Sequence, residues 1–224
     1  MQNNAVPAFP FKAVIFDMDG VIVDTEMAYA YETRDFLASQ GVTVSMEELY
    51  AQVGRSHQDF CETLVDWLGR AGENLGAQEA LARFDAWEDS EPLDYAKLLN
   101  PGVREALEGL AARGVRLAVA SSSPLDNIHQ VLTECEILDA FEFVTSGEQF
   151  VRSKPDPEIY LHVLDALGLS ARECCCVEDS APGIAAGKAA GLTVVAKREE
   201  RFGFSQDEAD YVVDRVSDIL TLEF

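Results

Sequence analysis

Basic residues are scarce in this chain. Lysine and arginine number 17 against 40 aspartates and glutamates in 224 residues, which leaves a net charge of -23. A surface of that sign repels nucleic acid and anionic membrane, so neither is expected as a partner. It also repels any anionic small molecule, so a site for one must reverse the sign locally. Histidine is rarer still: His57, His129 and His162 are too scattered for a zinc motif. The five cysteines are odd in number and form no C-x-x-C pair. Three of them, Cys174, Cys175 and Cys176, are consecutive, so on a strand they point to alternate faces and do not pair with one another. They read as small apolar core residues in a reducing cytoplasm. No apolar run approaches the ~20 residues that span a membrane. Residues 1–10 lack the basic start and long apolar centre of a signal peptide. A cytoplasmic monomer is the expectation.

What is present is a chain that is 48% hydrophobic, enough for one large core or two small ones. Short apolar strands alternate with amphipathic helices. Strands are expected at Ala13–Phe16, Val115–Ala120, Phe143–Thr145, Cys174–Val177 and Thr193–Ala196, with a sixth at Tyr211–Val213. Before the second, Asn100 suits a helix cap, Pro101 the first helical position and Gly114 the exit. Runs apolar on both faces and separated by helices imply a parallel sheet covered on both sides. From Thr25 to about Ala96 the pattern changes to helical periodicity alone, with Tyr29, Phe36 and Leu37, then Phe60, Leu64, Trp67 and Leu68, then Leu81, Phe84 and Trp87. Both tryptophans read as core. The expectation is therefore an α/β doubly wound, Rossmann-like core over residues 1–24 and 97–224, with an all-helical cap domain inserted at residues 25–96. An insertion leaving the carboxyl edge of the first strand sits over the ligand site of such a sheet.

The chemistry gathers where strands end. Val14-Ile15-Phe16 runs straight into Asp17-Met18-Asp19-Gly20. Two carboxylates so close raise each other's pKa unless a cation or proton sits between them. The second strand is followed by Ser121-Ser122-Ser123, the third by Ser153-Lys154-Pro155-Asp156-Pro157, and the fourth by Glu178-Asp179-Ser180. In a parallel sheet all of these converge on one edge. Carboxylates, hydroxyls and one lysine around a point suit Mg²⁺ with a phosphoryl group. Each group also has a plainer use: Ser121 as a helix cap, Ser122 and Ser123 as turn residues, Lys154 as a solvated loop residue, and Glu178 and Asp179 as an acidic turn. Asp156 and Pro157 suit a helix start. Gly183 and Gly187 are spaced for close packing of one helix face on the sheet.

These segments together resemble the haloacid dehalogenase superfamily, in its branch with a helical cap after the first motif, near the β-phosphoglucomutase and phosphoglycolate phosphatase group. Asp17-Met18-Asp19-Gly20-Val21 is similar to the first motif, Ser121 to the second, Lys154-Pro155 to the third and Glu178-Asp179 to the fourth. The resemblance implies that Asp17 is a nucleophile forming an aspartyl-phosphate and that Asp19 is the general acid and then base. It implies that Asp17, the Asp19 main-chain carbonyl and Asp179 hold Mg²⁺ with help from Glu178. Ser121 and Lys154 would bind the phosphoryl oxygens of a small-molecule phosphate.

The cap bears on substrate. Gly54-Arg55-Ser56-His57 is its cationic cluster, and Arg55 or His57 suits the non-reacting part of an anionic substrate. Sugar-phosphate mutases of this branch carry a histidine early in the first cap helix. Here no histidine lies between Asp24 and Ser56, and Tyr29 lies near that position, which favours a phosphatase over a β-phosphoglucomutase-type isomerase. No lysine lies between Thr25 and Ala96, which sets aside Schiff-base chemistry. The expected activity is a Mg²⁺-dependent phosphatase on a small, sugar-phosphate-like monoester. A receiver-type phosphoacceptor domain also gathers acids, a hydroxyl and Lys-Pro at a sheet edge. Such a domain is shorter, lacks the helical insertion and carries its aspartate on a middle strand.

Overall fold

The computed structural model describes residues 9–55, 57–88 and 92–224. Its sheet contains β1 (Ala13–Phe16), β2 (Arg116–Ser121), β3 (Phe143–Ser146), β4 (Cys174–Glu178), β5 (Thr193–Lys197) and β6 (Tyr211–Val213). They lie in the order β3-β2-β1-β4-β5-β6, and every pairing is parallel. Chain order reverses between β1 and β4, which is where a doubly wound sheet opens its ligand crevice. The expected α/β, Rossmann-like architecture is the observed one. Among the described residues no helix is long and apolar enough to cross a membrane.

The sheet is buried on both faces, as its unbroken apolar strands require. On one face Val14, Phe16, Val119 and Cys175 pack under α6 (Val103–Ala111), α7 (Leu125–Glu134) and a 3-10 turn at Val216–Leu220. On the other, Ile15, Ala118, Cys174 and Cys176 pack under α8 (Glu158–Leu167) and α9 (Ala181–Ala189). The three consecutive cysteines thus divide between faces, and all are free.

Several strands outrun their expected ends by one residue, and the added residue is polar: Ser121, Ser146, Glu178 and Lys197. Hydropathy alone stops a strand at its last apolar side chain. Pairing continues here because these polar groups are buried, and Ser121, Ser146 and Glu178 find protein partners at the sheet edge. Asn100 corrects the sequence reading more sharply. It does not cap α6, whose cap position is Gly102. Its side-chain amide is buried and donates to the Gly20 and Val21 carbonyls at 3.0 and 2.9 Å. It therefore ties the return of the helical segment to the turn that follows β1.

Between β1 and α6 lie α1 (Glu26–Ser39), α2 (Met46–Tyr50), α3 (His57–Gly69), α4 (Ala77–Glu88) and α5 (Tyr95–Leu98). Phe36, Leu37, Leu64, Trp67, Leu68 and Phe84 form an apolar cluster of their own there. α5 belongs elsewhere, since Tyr95 packs with the sheet cluster. The two crossings of the chain are paired, with Asp24 N–H donating to the Leu98 carbonyl at 2.7 Å and Asn100 N–H to Ile22 at 2.9 Å. Arg201, beyond β5, clamps the Asp24 carboxylate with two bonds of 2.7 and 3.0 Å. Its neighbour Phe202 meets Tyr50 of α2 edge-on, with ring centroids 5.1 Å apart. The helices are held over the carboxyl edge of the sheet.

The glycines of α9 divide in role. A side chain at Gly187 would strike Cys176 and Val194, so this glycine does serve helix-on-sheet packing. A Cβ at Gly183 would lie 2.0 Å from the Glu178 carboxylate, so this position makes room for an acid rather than for the sheet. Alanine favours helix by up to about 1 kcal/mol over glycine. Gly183→Ala is nevertheless expected to lower unfolding free energy by about 1–3 kcal/mol, because the carboxylate it displaces is pinned by other bonds. Urea denaturation checks this, and a stabilised variant would contradict the packing described.

Candidate active site

Asp17 is the first residue past β1, and its N–H donates to the Val177 carbonyl of β4 at 2.9 Å. That register sets it level with Glu178, the last residue of β4. Lys154, beyond β3 and joined to Pro155 by a cis peptide, reaches between them. Its ammonium donates to Asp17 Oδ1 at 2.8 Å, Glu178 Oε1 at 2.7 Å and the Ala120 carbonyl at 3.1 Å. All three ammonium protons are thereby used. Tyr160 of α8 also donates to Glu178 Oε1. Burial alone would lower the Lys154 pKa, but Asp17 and Glu178 outweigh it and hold the lysine charged. The solvated-loop reading of Lys154 does not apply.

Asp17, Glu178 and Asp179 each bring a carboxylate oxygen within 4.8 Å of the others. Glu178 Oε2 and both Asp179 oxygens are buried without a hydrogen-bond partner among the described residues. Buried carboxylate oxygens without partners are costly. Burial, followed by the neighbouring acids, pushes the Asp179 carboxyl well above its usual range and that of Glu178 up to about 7. An all-oxygen set with unmet acceptors and excess negative charge fits a hard divalent cation. Gly20, at φ 79, allows the approach: a Cβ there would sit 1.9 Å from Asp179 Oδ2. On the far side, Gln206 donates to the Asp179 carbonyl at 2.5 Å and to that of Lys197 at 2.8 Å. The loop after β5 thus supports the end of β4.

Asp19 stands apart from that cluster. Its Oδ1 accepts from Thr25 at 2.6 Å and its Oδ2 from Ser123 at 2.7 Å. Enclosure raises its pKa more than these two bonds lower it, and Asp17 adds to the rise. Ser123, read from sequence as a turn residue, is instead a partner of an acid. Ser121 is fully buried, and its hydroxyl accepts from the Ser123 N–H at 3.1 Å. Ser122 and Ser123, rather than Ser121, line the neighbouring cavity.

That cavity, about 370 Å³, opens on Asp17, Asp19 and Lys154 and is roofed by the helices. Arg55 and His57 both line it; Ser56 lies outside the described residues. Gly54 brings the same loop onto α9, where a Cβ would meet Ser180 Cβ at 2.6 Å. Trp67, assigned to core, is buried but also lines the cavity. Glu26 was not singled out from sequence. It enters from α1, with its pKa pushed up to about 8 by burial and by Asp19 and Asp17. The signal for it was its place in the first turn after the D-x-D segment, where an acid also serves the helix dipole.

Comparison with known proteins agrees with this geometry. A family model described as haloacid dehalogenase-like hydrolase matches residues 11–191. Hexitol phosphatase B of Escherichia coli (strain K12) is 36% identical over 183 residues, covering 80% of each chain. Phosphorylated carbohydrates phosphatase of Thermotoga maritima is 35% identical over 185 residues, 81% of this chain and 82% of that one. Among solved structures, a predicted phosphoglycolate phosphatase from Haemophilus somnus superposes with a TM-score of 0.82 at 25% identity, covering 95% and 97%. β-Phosphoglucomutase from Clostridium difficile, at 24% identity and a TM-score of 0.74 over 96% and 94%, bears on the fold alone. With a family model spanning most of its length and relatives above 30% identity, the chain belongs to the haloacid dehalogenase-like hydrolases.

Proposed function

We propose that the chain is a Mg²⁺-dependent phosphomonoesterase that hydrolyses a small organic phosphate through an aspartyl-phosphate. One observation carries the reading. A carboxylate held by a buried lysine stands beside two acids with unmet oxygens, and a further acid, its pKa raised by burial, faces the same cavity. Asp17 Oδ2, the oxygen not bonded to Lys154, is the nucleophile. It forms a bond to phosphorus as the ester P–O bond breaks on the opposite side. The leaving oxygen takes the proton of Asp19, whose carboxylate then accepts a proton from water as that water bonds to phosphorus and the P–O bond to Asp17 breaks. Inorganic phosphate leaves, and both aspartates return to their starting states. Thr25 and Ser123 orient Asp19 for both transfers.

Lys154 offsets the charge that accumulates on Asp17 and the transferred group, the main requirement of phosphoryl transfer. Asp17, Asp179, the Asp19 main-chain carbonyl and Glu178 would hold Mg²⁺, which would supply charge neutralisation at the phosphoryl oxygens. Ser121 fixes the turn that presents Ser122 and Ser123 to the phosphoryl group. Residues 25–96 act as a cap, and Arg55 and His57 meet the leaving group. The five free cysteines suit a reducing cytoplasm.

Asp17→Asn is expected to abolish p-nitrophenyl phosphate hydrolysis while circular dichroism shows an unchanged fold. Retention of most activity would remove Asp17 from the role of nucleophile. EDTA is expected to stop turnover by the unaltered protein, and added Mg²⁺ to restore it.

Cation binding is also expected to register without catalysis. Mg²⁺ at about 100 times its dissociation constant stabilises a native state by about 2.7 kcal/mol, a rise of about 5 °C or more in Tm for a domain of this size. Asp179→Asn is expected to raise the metal-free Tm, because it removes a buried acid crowded by Glu26, Asp17 and Glu178, and to eliminate most of the Mg²⁺ increment. A full increment in the variant would place the ion elsewhere.

A further inference from the structure

The cavity does not end at the acids. It continues upward between α1, α3 and α4, where Tyr29, Phe60, Trp67, Leu81 and Phe84 form its wall. Two of these rings are braced edge-on, Phe60 against Phe84 with centroids 5.2 Å apart and Phe84 against Phe36 at 5.3 Å. The wall is therefore fixed rather than collapsed. An apolar cavity of about 150 Å³ already accepts benzene, so about 370 Å³ holds a phosphoryl group and a ring together. Polar groups line the space as well: Glu26 beside the acids, Gln52, Arg55 and Asn127 elsewhere in the lining, and Thr33 of α1 and Asp85 of α4 among the apolar side chains. A leaving group hydroxylated along its whole length would set most of its far hydroxyls against aromatic and aliphatic carbon, with Thr33 and Asp85 the polar exceptions, and each hydroxyl left unpaired there weakens binding.

We propose that the substrate is the phosphate monoester of an alcohol whose far end is an uncharged, apolar, ring-sized group seated among Tyr29, Phe60, Trp67, Leu81 and Phe84. This rests on the phosphomonoesterase reading above and narrows it. It also separates the chain from relatives whose names specify hexitol or carbohydrate phosphates. The specificity follows from apolar burial in a preformed pocket, which discriminates through transition-state binding of the leaving group.

The test compares kcat/KM of the full chain with Mg²⁺ for 2-phenylethyl phosphate, glycerol 1-phosphate and a hexitol 6-phosphate, by release of inorganic phosphate. All three are primary alkyl esters, so intrinsic reactivity does not favour the phenyl compound. The expected result is a preference for 2-phenylethyl phosphate of at least about tenfold, the order that an apolar pocket provides. Leu81→Trp, which fills the upper cavity, is expected to reduce that preference at least fivefold. Equal or better turnover of the polyol esters by the unaltered protein would overturn the proposal and leave the phosphatase reading intact. Hydrolysis of none of these, p-nitrophenyl phosphate included, would overturn both.

Discussion

The buried ammonium of Lys154 is the interaction on which the catalytic edge depends. It joins the ends of β1, β2 and β4 through Asp17, the Ala120 carbonyl and Glu178. Taking a lysine out of water is expensive, and it is tolerated only when geometry and hydrogen bonds are nearly complete. Here they are complete on the lysine's side. They are complete only in part on the acids' side, since one Glu178 oxygen and both Asp179 oxygens find no partner. The lysine therefore fixes where the carboxylates stand without neutralising them.

That imbalance separates a structural ion pair from a reactive site. Five carboxylates, Asp17, Asp19, Glu26, Glu178 and Asp179, crowd one end of the cavity against Lys154. In the metal-free state burial and mutual repulsion raise the pKa of Asp19, Glu26, Glu178 and Asp179. A divalent cation and a phosphoryl group change the sign of the problem, because each brings partners that the other lacks. The free site is crowded with acid, and a bound cation would relieve that crowding. An acidic exterior repels phosphates in general, so a site for one must supply positive charge locally, and Lys154 and Arg55 both line this cavity.

The sheet and the motif acids were legible in the sequence because both are local signals. Apolar runs on both faces specify a buried parallel strand, and a polar residue just past such a run specifies its carboxyl edge. Partners supplied by distant elements were not legible. Tyr160 follows Ile159 in an apolar-periodic helix and reads as core; only the fold shows that its hydroxyl meets Glu178. Gln206 sits in a polar loop that carries no periodicity, yet it supports the Asp179 main chain. Asn100 precedes a proline and has the local signature of a cap, but two carbonyls of the turn after β1 claim its amide instead. In each case a tertiary hydrogen bond overrides a local preference of similar size.

The helical segment illustrates a different limit. Helical spacing of Tyr29, Phe60, Trp67, Leu81 and Phe84 announces an inward face, and an inward face is what the structure has. Periodicity reports which side of a helix avoids water; it does not report whether the space enclosed is filled by protein. Packing on the neighbouring face, where Phe36, Leu37, Leu64 and Leu68 close the interior, lets the remaining apolar side chains line a void without collapsing it. The same residue types at the same spacing thus serve two ends. Those between helices stabilise the segment, and those facing the cavity stabilise whatever apolar group enters it. Fold stability and leaving-group selection are therefore coupled through shared side chains, with Phe84 and Trp67 contributing to both. A change that enlarges the cavity at either position weakens the roof that shapes it, whereas a change at Leu81, only half-buried in the cavity wall, acts more nearly on selection alone.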